Sequence, residues 1–371
     1  MDFIPVSEPL FGQEEEDLVV DCVRTGWISS EGKYVQELEE LCAKYSDVKE
    51  GIAVCNGTAA LAVAVEALNL PKGSEVILPS FTIISCVLAI IEAGLKPVLV
   101  DADPETWCMD TDQVEKKITK NTSAIMAVHI YGHPVDMDPL FDMAKKHDLK
   151  IIEDLAEAHG TTYKGIKCGA LSDIAIISFY ANKLITTGEG GMILTNHKEY
   201  ADRARSLRNL AFKPEKRFLH TEIGHNYRLS NIQAAIGVAQ IRKIEKFIER
   251  KIEMARMYNE GLKDLPLQLP VKKDYARNIY WMYALTINDE VGIDAVELAK
   301  RMHAKNVQTR PFFIGLHEQP VLHDLGLFIN ESYPVTERIS KQGLYLPSGQ
   351  AITNDQINHI VKSMIEVFSE F

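Results

Sequence analysis

Ser178-Phe179-Tyr180-Ala181-Asn182-Lys183-Leu184-Ile185-Thr186-Thr187-Gly188-Glu189-Gly190-Gly191 is the stretch on which the fold turns. The apolar run Ile174 to Phe179 ahead of Lys183 reads as a buried strand, and Met192 to Thr195 after it as a second. The glycines between them make a turn. A lysine held there is screened from water. Burial disfavours its ammonium form, and the neutral amine is the form that makes a Schiff base. An isolated loop lysine is more simply read as solvated, so the choice rests on segments upstream.

The first is Ile151-Ile152-Glu153-Asp154-Leu155-Ala156-Glu157-Ala158-His159-Gly160. Leu149 to Ile152 reads as a short buried strand. Asp154 then falls at its carboxyl end, where open α/β sheets gather their ligands. A carboxylate there can pair with a protonated pyridine nitrogen, which makes the ring of pyridoxal phosphate an electron sink. The competing reading makes Asp154 or Glu157 the cap of a following helix.

The second is Val54-Cys55-Asn56-Gly57-Thr58-Ala59-Ala60-Leu61, running from a strand into a helix. Gly57 lets backbone approach a ligand, and the helix start offers free N–H groups to an anion. Thr58 and Ser178 add hydroxyl donors. An Asn-Gly turn before a helix also occurs without a ligand. The order along the chain is what matters: phosphate cradle, ring-nitrogen carboxylate, Schiff-base lysine.

Around these motifs, residues 50 to 195 alternate short apolar runs with helical patterns. Strands are expected at Gly51 to Cys55, Glu75 to Pro79, Lys96 to Val100 and Ala124 to Val128. Helices are expected at Thr58 to Leu68, Thr82 to Ala93 and Met137 to Lys146. The rhythm predicts a largely parallel sheet with helices on both faces, with Pro79, Asp101 and Asp154 gathered at one edge around the site. One long helix is expected from Asn231 toward Leu262, capped by Ser230. Beyond the Pro266/Pro270 break, Tyr280 to Ile287 and Val307 to Arg310 read as strands. Asp294 to Ala304 and Asn354 to Phe368 read as helices. The expected division is a large domain over residues 1–245, including the start of the bridging helix, and a smaller α+β domain over residues 246–371.

Length and composition agree with this plan. The chain has 371 residues, 46% hydrophobic and 25% charged, enough for a large core and two domains. Its net charge of −12 gives a nucleic-acid role no support. The basic residues from Arg242 to Lys251 alternate with Glu and apolar residues, as on a solvated helix face. Cys22, Cys42, Cys55, Cys86, Cys108 and Cys168 form no C-x-x-C pair and fit no zinc spacing, so free thiols in a reducing compartment are expected. His129 and His133 have an i, i+4 spacing but follow a strand, with Gly132 between them. A hydrogen-bonding role is favoured over metal ligation, and no metal is expected. The amino terminus is not a signal peptide, and windows such as Ile83 to Ile91 are too short to span a bilayer. A cytoplasmic location is the expectation.

Taken in order, these motifs resemble the DegT-type sugar aminotransferases, which carry pyridoxal phosphate. The resemblance runs from Gly26-Trp27-Ile28-Ser29-Ser30-Glu31-Gly32 through Asn56-Gly57-Thr58, Glu153-Asp154 and Asn182-Lys183. It continues in Gly224-His225-Asn226-Tyr227-Arg228-Leu229-Ser230-Asn231, then Arg310-Pro311-Phe312 and Leu346-Pro347-Ser348. It implies an α/β, aspartate-aminotransferase-like fold of type I, with a mostly parallel large domain and a small carboxyl-terminal one. It implies that Lys183 carries the cofactor and that Asp154 pairs with the ring nitrogen. Glu157 would face the ring near its hydroxyl, and Gly57, Thr58 and Ser178 would hold the phosphate. Asn226, with Arg228 beside it, would reach the phosphate of the neighbouring subunit in a homodimer.

The resemblance further implies glutamate as donor and a nucleotide-linked 4-keto-6-deoxyhexose as acceptor, with GDP-4-keto-6-deoxy-mannose favoured over UDP- or dTDP-linked sugars. Trp27, Ser29, Tyr283, Arg310, Phe312 and His317 match substrate-contacting regions. A pyridoxamine-dependent 3-dehydratase would carry histidine in place of Lys183. A 3-amino-sugar transaminase usually has a different lysine segment. A non-catalytic binding or regulatory protein of the same fold is the alternative from another class. The chain departs from its relatives at Ile83, where an aromatic residue often covers one face of the ring. Ile83 or Phe81 is left to do so.

Overall fold

The computed structural model describes residues 2–213 and 215–371. Its centre is a seven-stranded sheet built from β1 (Glu50–Val54), β2 (Glu75–Pro79), β3 (Lys96–Val100), β4 (Thr122–Val128), β5 (Lys150–Asp154), β6 (Ile174–Ser178) and β7 (Gly191–Thr195). The spatial order is β1-β7-β6-β5-β4-β2-β3. All neighbours run parallel except β7, which is antiparallel to both β1 and β6. Every residue of β6 and β7 is buried. A strand covered on both faces reads as one continuous apolar run, and this is why Ile174 to Ser178 shows no alternation.

The helix Gly57–Ala67 packs against β6 and β7, between helices Ser85–Glu92 and Lys198–Arg208. Eight of its residues are buried, so it is apolar all round. Asn56 caps it by accepting the Ala59 N–H at 2.8 Å. This fixes the β1-to-helix turn at the place where a ligand site was expected.

The single helix expected from Asn231 toward Leu262 is two helices, Asn231–Ile241 and Ile244–Leu262. Ser230 caps the first in a capping box with Gln233. No glycine or proline marks the break. The residues at the joint are instead held from outside: Arg242 pairs with Glu14 at 2.6 Å and Glu37 at 2.5 Å, and Lys243 with Glu15 at 2.8 Å. These are contacts between elements distant in sequence, which helical periodicity does not register.

The strand expected over Val307 to Arg310 is also shorter. Val307 makes one bridge to Ile4, and only Arg310–Pro311 joins a second sheet with Leu267–Gln268, Tyr283–Ile287 and Gly343–Leu346. A second hydrophobic core surrounds that sheet, and Ile4 belongs to it together with Met254, Tyr258, Tyr283, Leu346 and Met364.

Asp101 does lie at the end of a strand, just beyond β3, but it serves the fold. Its carboxylate accepts from the N–H groups of Val335 (3.0 Å) and Thr336 (2.9 Å) and from the Thr336 hydroxyl (2.9 Å). It therefore holds the start of helix Pro334–Gln342 against the large sheet. Asp101→Ala leaves those buried donors without an acceptor. A stability loss of about 3 kcal/mol is expected, read from the urea midpoint, with a smaller loss for Asp101→Asn. Equal midpoints for Asp101→Ala and the parent would remove this role.

Candidate active site

The loop carrying Lys183 joins β6 to β7 and is tied at its base. The Phe179 N–H donates to Gly190 O (2.8 Å), the Thr187 N–H to Phe179 O (3.0 Å), and Tyr180 bridges Gly188. The glycines have specific reasons. A Cβ on Gly190 would lie 2.2 Å from Thr187 Oγ1, and one on Gly191 would lie 2.5 Å from the Asn56 carbonyl oxygen. The second contact presses the lysine loop onto the turn that starts helix Gly57–Ala67.

Lys183 points into a buried setting, with 14% of its side chain exposed. Its Nζ lies 3.8 Å from Glu157 Oε1 and 3.8 Å from the centre of the Trp281 ring. Burial lowers its pKa from the ordinary lysine value, and the carboxylates of Glu157 and Asp154 oppose that shift. Burial wins, which favours the neutral amine.

Asp154 is the last residue of β5 and is 2% exposed. Its carboxylate accepts the Ala156 N–H at 2.8 Å and the Cys86 thiol at 3.2 Å. Burial raises its pKa, and those two donors and the charge of Lys183 act the other way. No helix follows it. Residues 155–161 form a turn, so the helix-cap reading of Asp154 and Glu157 is set aside. Glu157 instead turns back and accepts the Tyr131 N–H at 2.9 Å. Tyr131 has φ of 52°, a left-handed conformation rare outside glycine and frequent at ligand sites.

Burial pushes the Glu157 carboxyl up to about 7, against the lowering effect of Lys183. The consequence for stability has a definite sign. Between the unfolded value near 4.5 and about 7 the folded chain binds more protons than the unfolded one, so stability falls as pH rises through that window. The full loss is at most about 3 kcal/mol. Glu157→Gln, compared with the parent apoprotein in urea melts across this range, is expected to lack the decline. Parallel curves would contradict the assignment.

At the far end of the loop, Gly57 and Ser178 touch: a Cβ on Gly57 would lie 2.9 Å from Ser178 Cβ. Thr58 is exposed, and its hydroxyl is 2.9 Å from the hydroxyl of Ser85. The first-turn N–H groups of a helix have no partners within it. Three candidate phosphate ligands and Ser85, which sequence reasoning missed, therefore surround one helix start.

The remaining candidates divide. Trp27, Ser29 and Arg228 line an open cavity of about 710 Å³ with Arg205, Arg208 and Arg217, and Lys183 is not among its lining residues. Arg228 donates to Asn209 Oδ1 at 2.8 Å, and Asn226 is exposed and bridged to Asn209. Arg310 is exposed and pairs in register with Tyr345, whose ring packs against Tyr131, the residue whose N–H Glu157 accepts.

Three other candidates, Tyr283, Phe312 and His317, are buried in the packing. Tyr283 is fully buried in the second core, and its hydroxyl donates to Asn259 at 2.6 Å. Phe312, 4% exposed, packs against Phe81, Trp107 and Tyr131. His317, also 4% exposed, pairs with Glu337 at 3.2 Å and meets the Tyr333 ring edge-on.

His129 lies within reach of Glu153 and Cys168, a grouping able to surround an ion. However, its Nδ1 accepts the Val135 N–H at 3.0 Å, which puts the ring proton on Nε2, toward Glu153 at 2.9 Å. Neither nitrogen then has a lone pair for a metal. His133 is likewise committed, to the Pro134 carbonyl at 2.8 Å.

A buried amine 3.8 Å from one buried carboxylate and in the field of a second, on a loop pressed against a helix start, fits a cofactor with an aldehyde, a basic ring nitrogen and a phosphate. The comparisons agree. Residues 9–365 match the DegT/DnrJ/EryC1/StrS aminotransferase family, and the chain belongs to that family of pyridoxal-phosphate-dependent sugar aminotransferases. GDP-perosamine synthase of Escherichia coli O157:H7 is 39% identical over 370 residues, 100% of both chains. The GDP-perosamine synthase of Caulobacter vibrioides is 37% identical over 366 residues, 98% of each. The crystal structure of the aminotransferase TlmJ from Streptoalloteichus hindustanus aligns with a TM-score of 0.91 at 27% identity, covering 99% of each chain.

Proposed function

We propose that the chain transfers the amino group of glutamate to C4 of GDP-4-keto-6-deoxy-mannose, giving GDP-perosamine for polysaccharide synthesis. The observation that carries the chemistry is the buried Lys183 amine facing Glu157 and Asp154. The choice of sugar is supported by the GDP-perosamine synthases that the chain is similar to. UDP- or dTDP-linked 4-keto sugars are the alternative acceptors. A non-catalytic binder is disfavoured by the intact Lys183 and Asp154.

When bound, pyridoxal phosphate supplies an electron-withdrawing ring that takes up the donor's amino group. Lys183 anchors the cofactor, and its freed Nζ takes and returns a proton. Asp154 would keep the ring nitrogen protonated, Glu157 would set the charge near Lys183, and Gly57, Thr58 and Ser178 would hold the phosphate. Phe81 is fully buried among other aromatic residues and Ile83 is 45% exposed, so Ile83 is the one available to cover the ring face. Arg310 and Arg228 are suited to a diphosphate, and Trp27 and Ser29 to the nucleotide.

The reading includes a homodimer. The segment before Asn226 presents Phe218, 82% exposed, and Ile223, 86% exposed, beside the arginine-lined cavity. A second copy of the chain would cover them and bring Asn226 and Arg228 to its phosphate. The division at residues 245/246 and a cytoplasmic location belong to the same proposal. Among the described residues, no helix is long and apolar enough to cross a membrane.

Borohydride reduction of the holoenzyme followed by peptide mapping tests the anchor, and the label is expected on Lys183. A panel of GDP-, UDP- and dTDP-linked 4-keto sugars with glutamate tests the acceptor. A label elsewhere, or a preference for another nucleotide, overturns the corresponding part.

A further inference from the structure

A second buried lysine is linked to Lys183 through one tryptophan. Lys251, on helix Ile244–Leu262, is 3% exposed. Its Nζ donates to the carbonyl oxygens of Trp281, at 2.8 Å, and Ser348. No carboxylate pairs with it among the described residues, and burial alone pulls its pKa down to about 7. Desolvating an amine to bond two neutral carbonyls costs stability. A methionine would fill the same length without that cost. What the amine does provide is a fixed position for the Trp281 backbone.

Trp281 passes that position on. Its indole N–H donates to the Asn182 carbonyl at 2.8 Å, next to Lys183 in sequence, and its ring lies 3.8 Å from Lys183 Nζ. The preceding residue, Tyr280, has φ of 49°. A Cβ on Gly132 would stand 2.9 Å from the amide nitrogens of both Tyr280 and Trp281. The backbone is thus boxed on one side and held by Lys251 on another. Lys251, Asn182 and Lys183 also line one small cavity, with Glu8, Gln240 and Gln350.

We propose that Lys251 is a positioning residue for Lys183: it fixes Trp281, whose ring and N–H hold the lysine segment with the Lys183 amine on the Glu157 side. This rests on Lys183 being the cofactor lysine. Burial acts most strongly on the Lys183 charge, Glu157, Asp154 and Cys86 oppose it, and the Trp281 face lies alongside. An aromatic face stabilises the ammonium form, so losing it to an equally apolar leucine lowers the amine's pKa. Removing a neighbouring positive charge would raise it. With the setting kept apolar, the two routes by which Lys251 can act have opposite signs.

The test uses apoprotein. Acetic anhydride labels neutral amines, and peptide mass spectrometry follows Lys183 labelling from about pH 6 to about pH 10. Trp281→Leu is expected to lower the midpoint by about one pH unit, and Trp281→Phe, which keeps a ring face, by much less. Lys251→Met is expected to lower it as well, and the double variant Lys251→Met/Trp281→Leu no further than Trp281→Leu alone. An unchanged or raised midpoint in Lys251→Met, or additive shifts in the double variant, overturns the proposal. If Lys251→Met has no cooperative melt, Lys251→Gln replaces it. This variant keeps a donor without the charge and is expected to match the parent, while a raised midpoint counts against positioning. Borohydride mapping judges the role of Lys183 separately, so failure of either claim is recognisable.

Discussion

Lys183→Ala is expected to lower glutamate-dependent amination of a nucleotide-linked 4-keto sugar by about 10,000-fold or more, with the fold intact. Two losses combine. On the proposed reading, the cofactor would lose its covalent anchor and the reaction would lose an amine placed to move a proton. The fold should tolerate the change, because burial disfavours the charged form of this amine and alanine leaves no buried charge behind. The main structural consequence falls on Glu157, whose nearest cation is Lys183 at 3.8 Å. Its carboxyl, already at about 7, should rise further. Single-turnover kinetics and a thermal melt on the same preparation check both halves. A variant that turns over at a tenth of the parental rate would end the assignment.

Asp154→Asn is expected to cost about 1,000-fold, the size of loss seen when one buried electrostatic partner is removed from a reacting group. The substitution is nearly isosteric. An asparagine oxygen can still accept the Ala156 N–H that now bonds Asp154 at 2.8 Å. What disappears is the negative charge that would keep a ring nitrogen protonated. Cys86→Ser is the control. It keeps a donor toward Asp154, now 3.2 Å from the thiol, and should retain most activity. The cofactor's absorbance offers a second readout, because its bands should move in Asp154→Asn and stay in Cys86→Ser. Activity above a third of the parental value in Asp154→Asn would remove the pairing role.

Most of the large sheet was legible because its strands are buried on both faces. Ile174 to Ser178 and Ala124 to Val128 are short, fully buried runs, and a one-dimensional pattern is enough to find them. Lys183, Asp154 and Glu157 stand out in the sequence because each is a charged residue shortly after a buried apolar strand run. Contacts between distant segments were not legible. The break at Arg242-Lys243 coincides with ion pairs to Glu14, Glu15 and Glu37. Asp101 is claimed by Thr336, more than two hundred positions away. Tyr283 and Phe312 sit in motifs that suggested ligand contact, yet neighbouring aromatic rings enclose both. Within Tyr280 to Tyr283 nothing local singles out Trp281 from its tyrosine neighbours. Its value appears only where Asn182, Lys183 and Lys251 converge on it.

The reversed strand β7 has a consequence for biogenesis. It lies between β1 and β6, so β1 cannot join the sheet until residues 191–195 have been made. Chains are synthesised from the amino end, at about 5–20 residues per second. For several seconds the nascent polypeptide therefore carries Gly57 without Ser178 or the lysine loop. Vitamin capture must wait for the ribosome to pass that point, and truncated products ending before it should leave the aldehyde unbound.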